Sequence, residues 1–158
     1  MHTKYYTLIT GASEGFGKAL ALECAGRKMN IILVALPGPE LTNLANFIKR
    51  NYSVDAIAIE KDLCKEENCI ALFEEVSALK ISVNMLINNA GLGSTLLFSE
   101  GTIRLYEKQI KLNILATTIV TRLFLGKLET SSPANILNVG SLSCYFILAK
   151  KQVYGATK

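Results

Sequence analysis

Two residues near the end of the sequence have the types and spacing for proton chemistry. Tyr154 and Lys158 stand four apart, so on a helix they share one face. An ordinary phenol ionises near pH 10, and a tyrosine used as a base near pH 7 must be shifted by about three units, or roughly 4 kcal/mol. A nearby ammonium pushes in that direction. A second kind of chemistry is written at the other end. The short apolar run of residues 5–10 leads into Gly11-Ala12-Ser13-Glu14-Gly15-Phe16-Gly17 and then into a helical pattern. Gly11 lets the chain leave a strand in a tight turn. Gly15 lets backbone N–H groups approach a pyrophosphate, and Gly17 lets the following helix pack on a sheet. An anion placed there meets free N–H groups and the positive end of the helix dipole. Each signal also has a bland reading: a surface Tyr–Lys pair, and an ordinary strand-to-helix turn.

The elements that must hold these residues follow from hydrophobic spacing. Residues 5–10, 30–36, 54–59, 83–87 and 134–139 read as strands. The run Asn30 to Leu36 is unbroken and apolar, as in a strand buried on both faces. Helical spacing marks 18–28 through Leu20, Ala21, Cys24 and Ala25, then 41–50 through Leu41, Leu44, Ala45 and Ile48, then 66–79. The longest helical pattern is Thr102 to Leu128, with Ile103, Tyr106, Ile110, Asn113, Thr117, Val120 and Phe124 on one stripe. Residues 140–152 read as a loop, and Val153 to Lys158 as a helix start. Strands alternating with helices predict an α/β, Rossmann-like, doubly wound parallel sheet in a single domain over residues 1–158. Ligands of such sheets bind at the carboxyl ends of the strands. The unusual loops fall there: 10–17, 35–39, Asp62-Leu63, Asn88-Asn89-Ala90-Gly91 and 140–143.

Composition narrows the class. The chain has 158 residues, half of them hydrophobic, and a net charge of +4, so it has the length and apolar content for a buried core. Its Lys and Arg are dispersed, which argues against nucleic acid as a partner. The stretch Leu112 to Leu125 contains Asn113 and Arg122 and falls short of a membrane span. Residues 1–4 lack the apolar core and cleavage site of a signal peptide, and His2 reads as a disordered terminal residue. Cys24, Cys64, Cys69 and Cys144 show neither CxxC nor metal-ligand spacing, so no metal is expected. Free thiols in a reducing cytoplasm are expected. Cys144 reads as a small apolar packing residue.

In order along the chain, these motifs resemble the short-chain dehydrogenase/reductase family. Thr10-Gly11-Ala12-Ser13-Glu14-Gly15-Phe16-Gly17 is similar to its cofactor loop. Asp62, followed by Leu63, is similar to the acidic residue near the adenine. Asn88-Asn89-Ala90-Gly91 is similar to its NNAG motif, and Asn113, Ser141, Tyr154 and Lys158 to its catalytic tetrad. The resemblance implies an oxidoreductase that moves a hydride between NAD(P) and a carbonyl or secondary alcohol. Tyr154 would exchange a proton with the substrate oxygen. Lys158 would lower the tyrosine's pKa and hold the nicotinamide ribose, Ser141 would orient the substrate, and Asn113 would hold a proton-relaying water. It also implies a homo-oligomer formed through Thr102–Leu128, where Leu112, Ile119 and Leu123 lie off the main stripe. A non-catalytic dinucleotide-binding or scaffolding module is the alternative. Residue by residue, plainer roles stay open. Ser141 could cap a turn, Asn113 could satisfy buried backbone groups, and Asp62 could cap a helix. Asn88 and Asn89 could shape a loop.

Two departures from the pattern carry expectations. An NAD site usually places an acid at the end of the second strand, where this chain has Ala35-Leu36. The missing charge points to NADP over NAD, with Ser13 as a phosphate contact, although Glu14 adds negative charge. The sequence also ends on Lys158, where family members continue. This predicts a truncated fold lacking its C-terminal strands, strand five as an exposed apolar edge, Lys158 on a frayed end, and little turnover.

Overall fold

β1 (Tyr5–Thr10) is the middle strand of a five-stranded sheet with the order β3-β2-β1-β4-β5. The computed structural model describes residues 4–131 and 133–158; the reading of His2 lies outside them. The other strands are β2 (Asn30–Ala35), β3 (Ala56–Glu60), β4 (Ser82–Asn88) and β5 (Asn135–Asn138). All four pairings are parallel. The chain winds outward from β1 to β3, then returns to the other side of β1 for β4. The carboxyl ends of β1 and β4 therefore flank the point where strand order reverses, the place where such sheets take ligands.

Helices cover both faces, which is why the central strands are apolar on both sides. α1 (Gly15–Gly26) and α2 (Pro39–Tyr52) bury Ala21, Cys24, Ala25, Leu41, Leu44, Ala45 and Ile48 against Ile31, Leu33, Ala35 and Ile87. α3 (Glu66–Ala78) and α5 (Thr117–Glu129) bury Leu72, Val76, Val120, Phe124 and Leu128 against Leu8, Ile32, Val34 and Leu86. Alternate residues of one strand serve opposite cores, as the two-residue period requires. Phe124 is fully buried and meets Phe73 edge-on, with ring centroids 5.3 Å apart. Burying a side chain of that size contributes about 1.5–3 kcal/mol.

The long helix differs from its sequence reading. Thr102 caps α4 (Ile103–Ile110) by accepting a hydrogen bond from Leu105 N at 3.1 Å. A π-helical turn, Lys111–Ala116, then separates α4 from α5. Widening the turn rotates the inward face, so the buried stripe runs Gln109, Asn113, Ala116, Val120, Phe124 and Leu128. Ile103, expected inside, is 78% exposed, and Ile110 also faces solvent. Leu112, Ile119 and Leu123 pack on the core and do not form an outer face. α1 begins at Gly15, three residues before its predicted start, its first turn closed by the bond from Lys18 N to Glu14 O at 3.1 Å. A 3₁₀ turn, Leu142–Cys144, interrupts the predicted loop before α6 (Gln152–Thr157). β5 lies at the edge of the sheet and is exposed along its whole length, as expected.

Candidate functional site

The site is built where β1 and β4 end. The Thr10 hydroxyl donates to Ile87 O at 3.4 Å and accepts from the backbone amides of Asn89 and Ala90, each at 3.0 Å. The Asn89 side-chain amide returns the contact, donating to Thr10 O at 2.9 Å and Gly11 O at 3.0 Å. Neighbouring Asn88, buried at the end of β4, donates to Thr121 Oγ1 and Asn138 Oδ1, each at 2.8 Å. Asn89 thus ties the glycine loop to the next strand end, and Asn88 ties β4 to α5 and β5. Both asparagines shape the loop, and that shaping sets the site.

Gly11 and Gly15 have positive φ values, 66° and 53°, which favour glycine. A Cβ on Gly17 would collide with the Gly11 carbonyl oxygen and the Asn89 amide. A Cβ on Gly15 would meet nothing within 4 Å, so that stretch of backbone lies open to a ligand. Beside this turn runs an open groove of about 360 Å³, within the size range of cofactor sites. Gly11, Ser13, Glu14, Phe16 and Gly17 form one wall. Asp62, Leu63 and Cys64 close the end near β3, and Asn89, Ala90 and Gly91 the end near β4. Asp62 does not cap α3. Its Oδ1 accepts from Cys64 N at 3.1 Å and shapes the turn after β3. Burial, helped by the Asp62 carboxylate, pushes the Cys64 thiol up, so it stays protonated. An open, glycine-lined anion cradle that runs between two strand ends fits an extended dinucleotide.

The proton-chemistry residues meet on the loop after β4. Asn113 lies in the π turn, buried. Its Oδ1 accepts from Leu92 N at 2.8 Å, and its Nδ2 donates to Leu92 O at 3.0 Å and Thr157 Oγ1 at 2.8 Å. The backbone-satisfying role expected of a buried asparagine is therefore real, and it fixes the loop that faces the groove. The position of a Cβ on Gly91 lies 3.4 Å from Asn113 Oδ1 and 3.5 Å from Lys158 Nζ. The Tyr154 ring lies against Gly93, with ring carbons 3.7 Å from the Cβ position. Lys158 is partly buried, and burial pushes its amine below the usual lysine range. Ser141 is less settled in the group. Its hydroxyl lies 2.7 Å from Ser143 Oγ and accepts from Ser143 N at 3.2 Å, the turn-capping role. The turn it caps supports α6, because a Cβ on Gly155 would lie only 2.7 Å from Ser143 O. Cys144 is exposed rather than packed, with its Sγ 2.8 Å from Ser141 O.

Several residues of the site gave no sequence signal that was read. Thr157 joins Asn113 to α6 and donates to Tyr154 O at 2.9 Å. The Lys151 ammonium sits 5.5 Å from the centre of the Tyr154 ring. Gly93 provides the surface on which that ring rests. Gly93 and Thr157 were legible as a second glycine after Asn88–Gly91 and a hydroxyl inside the Tyr154–Lys158 interval.

The pattern of the short chain dehydrogenases matches residues 6–158. The chain belongs to the short-chain dehydrogenase/reductase family. It is 31% identical over 159 residues to very-long-chain 3-oxoacyl-CoA reductase of Mus musculus, covering 97% of this chain and 50% of that one. It is 30% identical over 156 residues to inactive hydroxysteroid dehydrogenase-like protein 1 of Danio rerio, covering 96% and 48%. The solved structure of a short-chain dehydrogenase from Sphingobium yanoikuyae in complex with NADPH superposes with a TM-score of 0.88 at 30% identity, covering 97% and 59%. The chain spans about half the length of the curated relatives it matches.

Proposed function

We propose that the chain is the dinucleotide-binding domain of an NAD(P)-dependent oxidoreductase acting on a carbonyl or secondary alcohol. The observation that carries this reading is the meeting of Asn113, Tyr154 and Lys158 on the Gly91–Gly93 loop, beside the groove that Gly11–Gly17 forms. Gly11, Ser13, Glu14, Gly15, Phe16 and Gly17 would hold the pyrophosphate. Asp62 and Leu63 would line the adenine end, and Asn89, Ala90 and Gly91 the nicotinamide end. The nicotinamide, when bound, supplies or takes the hydride. Tyr154 exchanges a proton with the substrate oxygen, and Ser141 orients that oxygen. Lys158 holds the ribose, and its ammonium, which burial makes a readier proton donor than an exposed lysine, steadies the phenolate. Asn113 fixes the Leu92 backbone and places the water through which protons reach Lys158.

Tyr154→Phe tests this reading. It removes the phenolic proton while keeping the ring against Gly93. NADH and NADPH binding, followed by nicotinamide fluorescence in a chain without tryptophan, is expected to persist while ketone reduction disappears. The alternative is a binding module without turnover, which the likeness to a relative named inactive favours. Equal absence of turnover in wild type and variant, with binding intact, selects it.

Among the described residues no helix is long and apolar enough to cross a membrane, and the four cysteines are unpaired. Four free thiols suit the reducing cytoplasm. Ile103, Ile110, Ile114, Leu115 and Leu125 are exposed along α4 to α5, an apolar flank that suits pairing with a second copy. A monomer at high concentration in light scattering would count against that pairing.

A further inference from the structure

The end of β2 lacks the acid expected at an NAD site, yet the structure places one beside it. Ala35, the last residue of β2, pairs in register with Glu60, the last residue of β3. Register partners in a parallel pair share a sheet face, and Glu60 continues the alternation of Ala56 and Ala58, which pack on the α1–α2 side with Ala35. Its carboxylate Oε1 accepts from Gly38 N at 3.2 Å. That bond holds the charge at the turn between β2 and α2. Glu40 adds to it, since the Cβ position of Gly38 lies 2.8 Å from Glu40 Oε2. The adjacent lysine does not offset them there. Lys61 lines the groove and bonds through its backbone N–H to Ala35 O at 2.8 Å, but its ammonium pairs with Glu75 on α3 at 3.0 Å.

We propose that Glu60 supplies from β3 the ribose-facing carboxylate that β2 lacks, so that the site takes NAD in preference to NADP. The inference rests on the dinucleotide reading of the groove. A ribose hydroxyl can donate to a carboxylate at that place. A 2′-phosphate carries about two negative charges near pH 7 and is repelled. The two carboxylates thus turn the preference suggested by Ala35-Leu36 alone toward NAD.

The test is titration of the 158-residue chain with NADH and with NADPH at low salt. Wild type is expected to bind NADH about tenfold more tightly, equal to about 1.4 kcal/mol. Glu60→Gln keeps an oxygen that can accept from Gly38 N but removes the charge, and should bring the ratio near one by strengthening NADPH binding. Adding Leu36→Asp, at an exposed position that lines the groove, to that variant should restore the NADH preference. Raising salt should narrow the wild-type ratio, because the carboxylates are exposed. Tighter NADPH binding by wild type, or a ratio that Glu60→Gln leaves in place, overturns the Glu60 assignment and leaves the groove reading standing. Binding of neither nucleotide removes the groove reading and the Glu60 assignment with it.

Discussion

The side-chain amide of Asn113 donates to the hydroxyl of Thr157 at 2.8 Å. The same hydroxyl donates to Tyr154 O, so one threonine links the π turn to α6, which carries Tyr154 and ends beside Lys158. Thr157→Val keeps the shape and removes both bonds. It leaves one amide hydrogen of Asn113 unpaired, a loss worth about 1–3 kcal/mol for a buried donor. Amide exchange across 152–157 should quicken in Thr157→Val and stay near wild type in Thr157→Ser. Unchanged exchange in both would mean that α6 is held by packing alone.

Thr10→Val tests the clamp between the two strand ends. The valine is close in shape but cannot accept from the amides of Asn89 and Ala90. A loss of about 2 kcal/mol in unfolding free energy is expected for leaving buried amides unpaired, read from urea midpoints, with Thr10→Ser losing less. A midpoint equal to wild type would show that water replaces the hydroxyl.

Two glycines predict opposite outcomes for the same change. Gly17→Ala puts a methyl onto the Gly11 carbonyl and the Asn89 amide, and should abolish nucleotide binding and lower the melting temperature. Gly126 lies in α5 with nothing within 4 Å of a Cβ. Gly126→Ala should raise stability by about 1 kcal/mol, the helix-propensity gain.

Acid sensitivity should reside in part at Asp55. The Lys4 ammonium, 2.9 Å away, and the Tyr6 hydroxyl, 3.0 Å away, hold its carboxyl below the usual carboxylate range. A depressed carboxylate pKa contributes stability that is fully present above the unfolded value, about 4, and is lost as pH falls through the folded value. Asp55→Asn should therefore lower stability at neutral pH and flatten the decline below about pH 4. Parallel stability curves for variant and wild type across that range would contradict this.

Most of the frame was legible because burial leaves a periodic mark. The run at Asn30–Ala35 is apolar throughout since helices cover both faces, and Leu41, Leu44, Ala45 and Ile48 all fall inside. The glycine spacing and the Tyr154–Lys158 interval located the site for the same reason: fixed local geometry demands fixed residue types. What was not legible depends on register. Nothing in Lys111–Ala116 announces a π turn, so an unbroken helical period puts Ile103 on the buried stripe, although it lies outside. The use of Glu60 depends on strand pairing with a residue 25 positions earlier, which no local pattern reports. The residue type of Cys144 points to packing, whereas the 3₁₀ turn after Ser141 leaves it exposed.

The central claim is that the groove between the β1 and β4 ends holds a nicotinamide dinucleotide, and backbone amide resonances test it most directly. During titration with NADH, saturable shifts are expected at residues 11–17, at Asp62 and Leu63, and at 89–91, while amides of α2 beyond its first turn stay in place. Saturable shifts confined to any other surface, or none at all in the folded chain, would contradict the account.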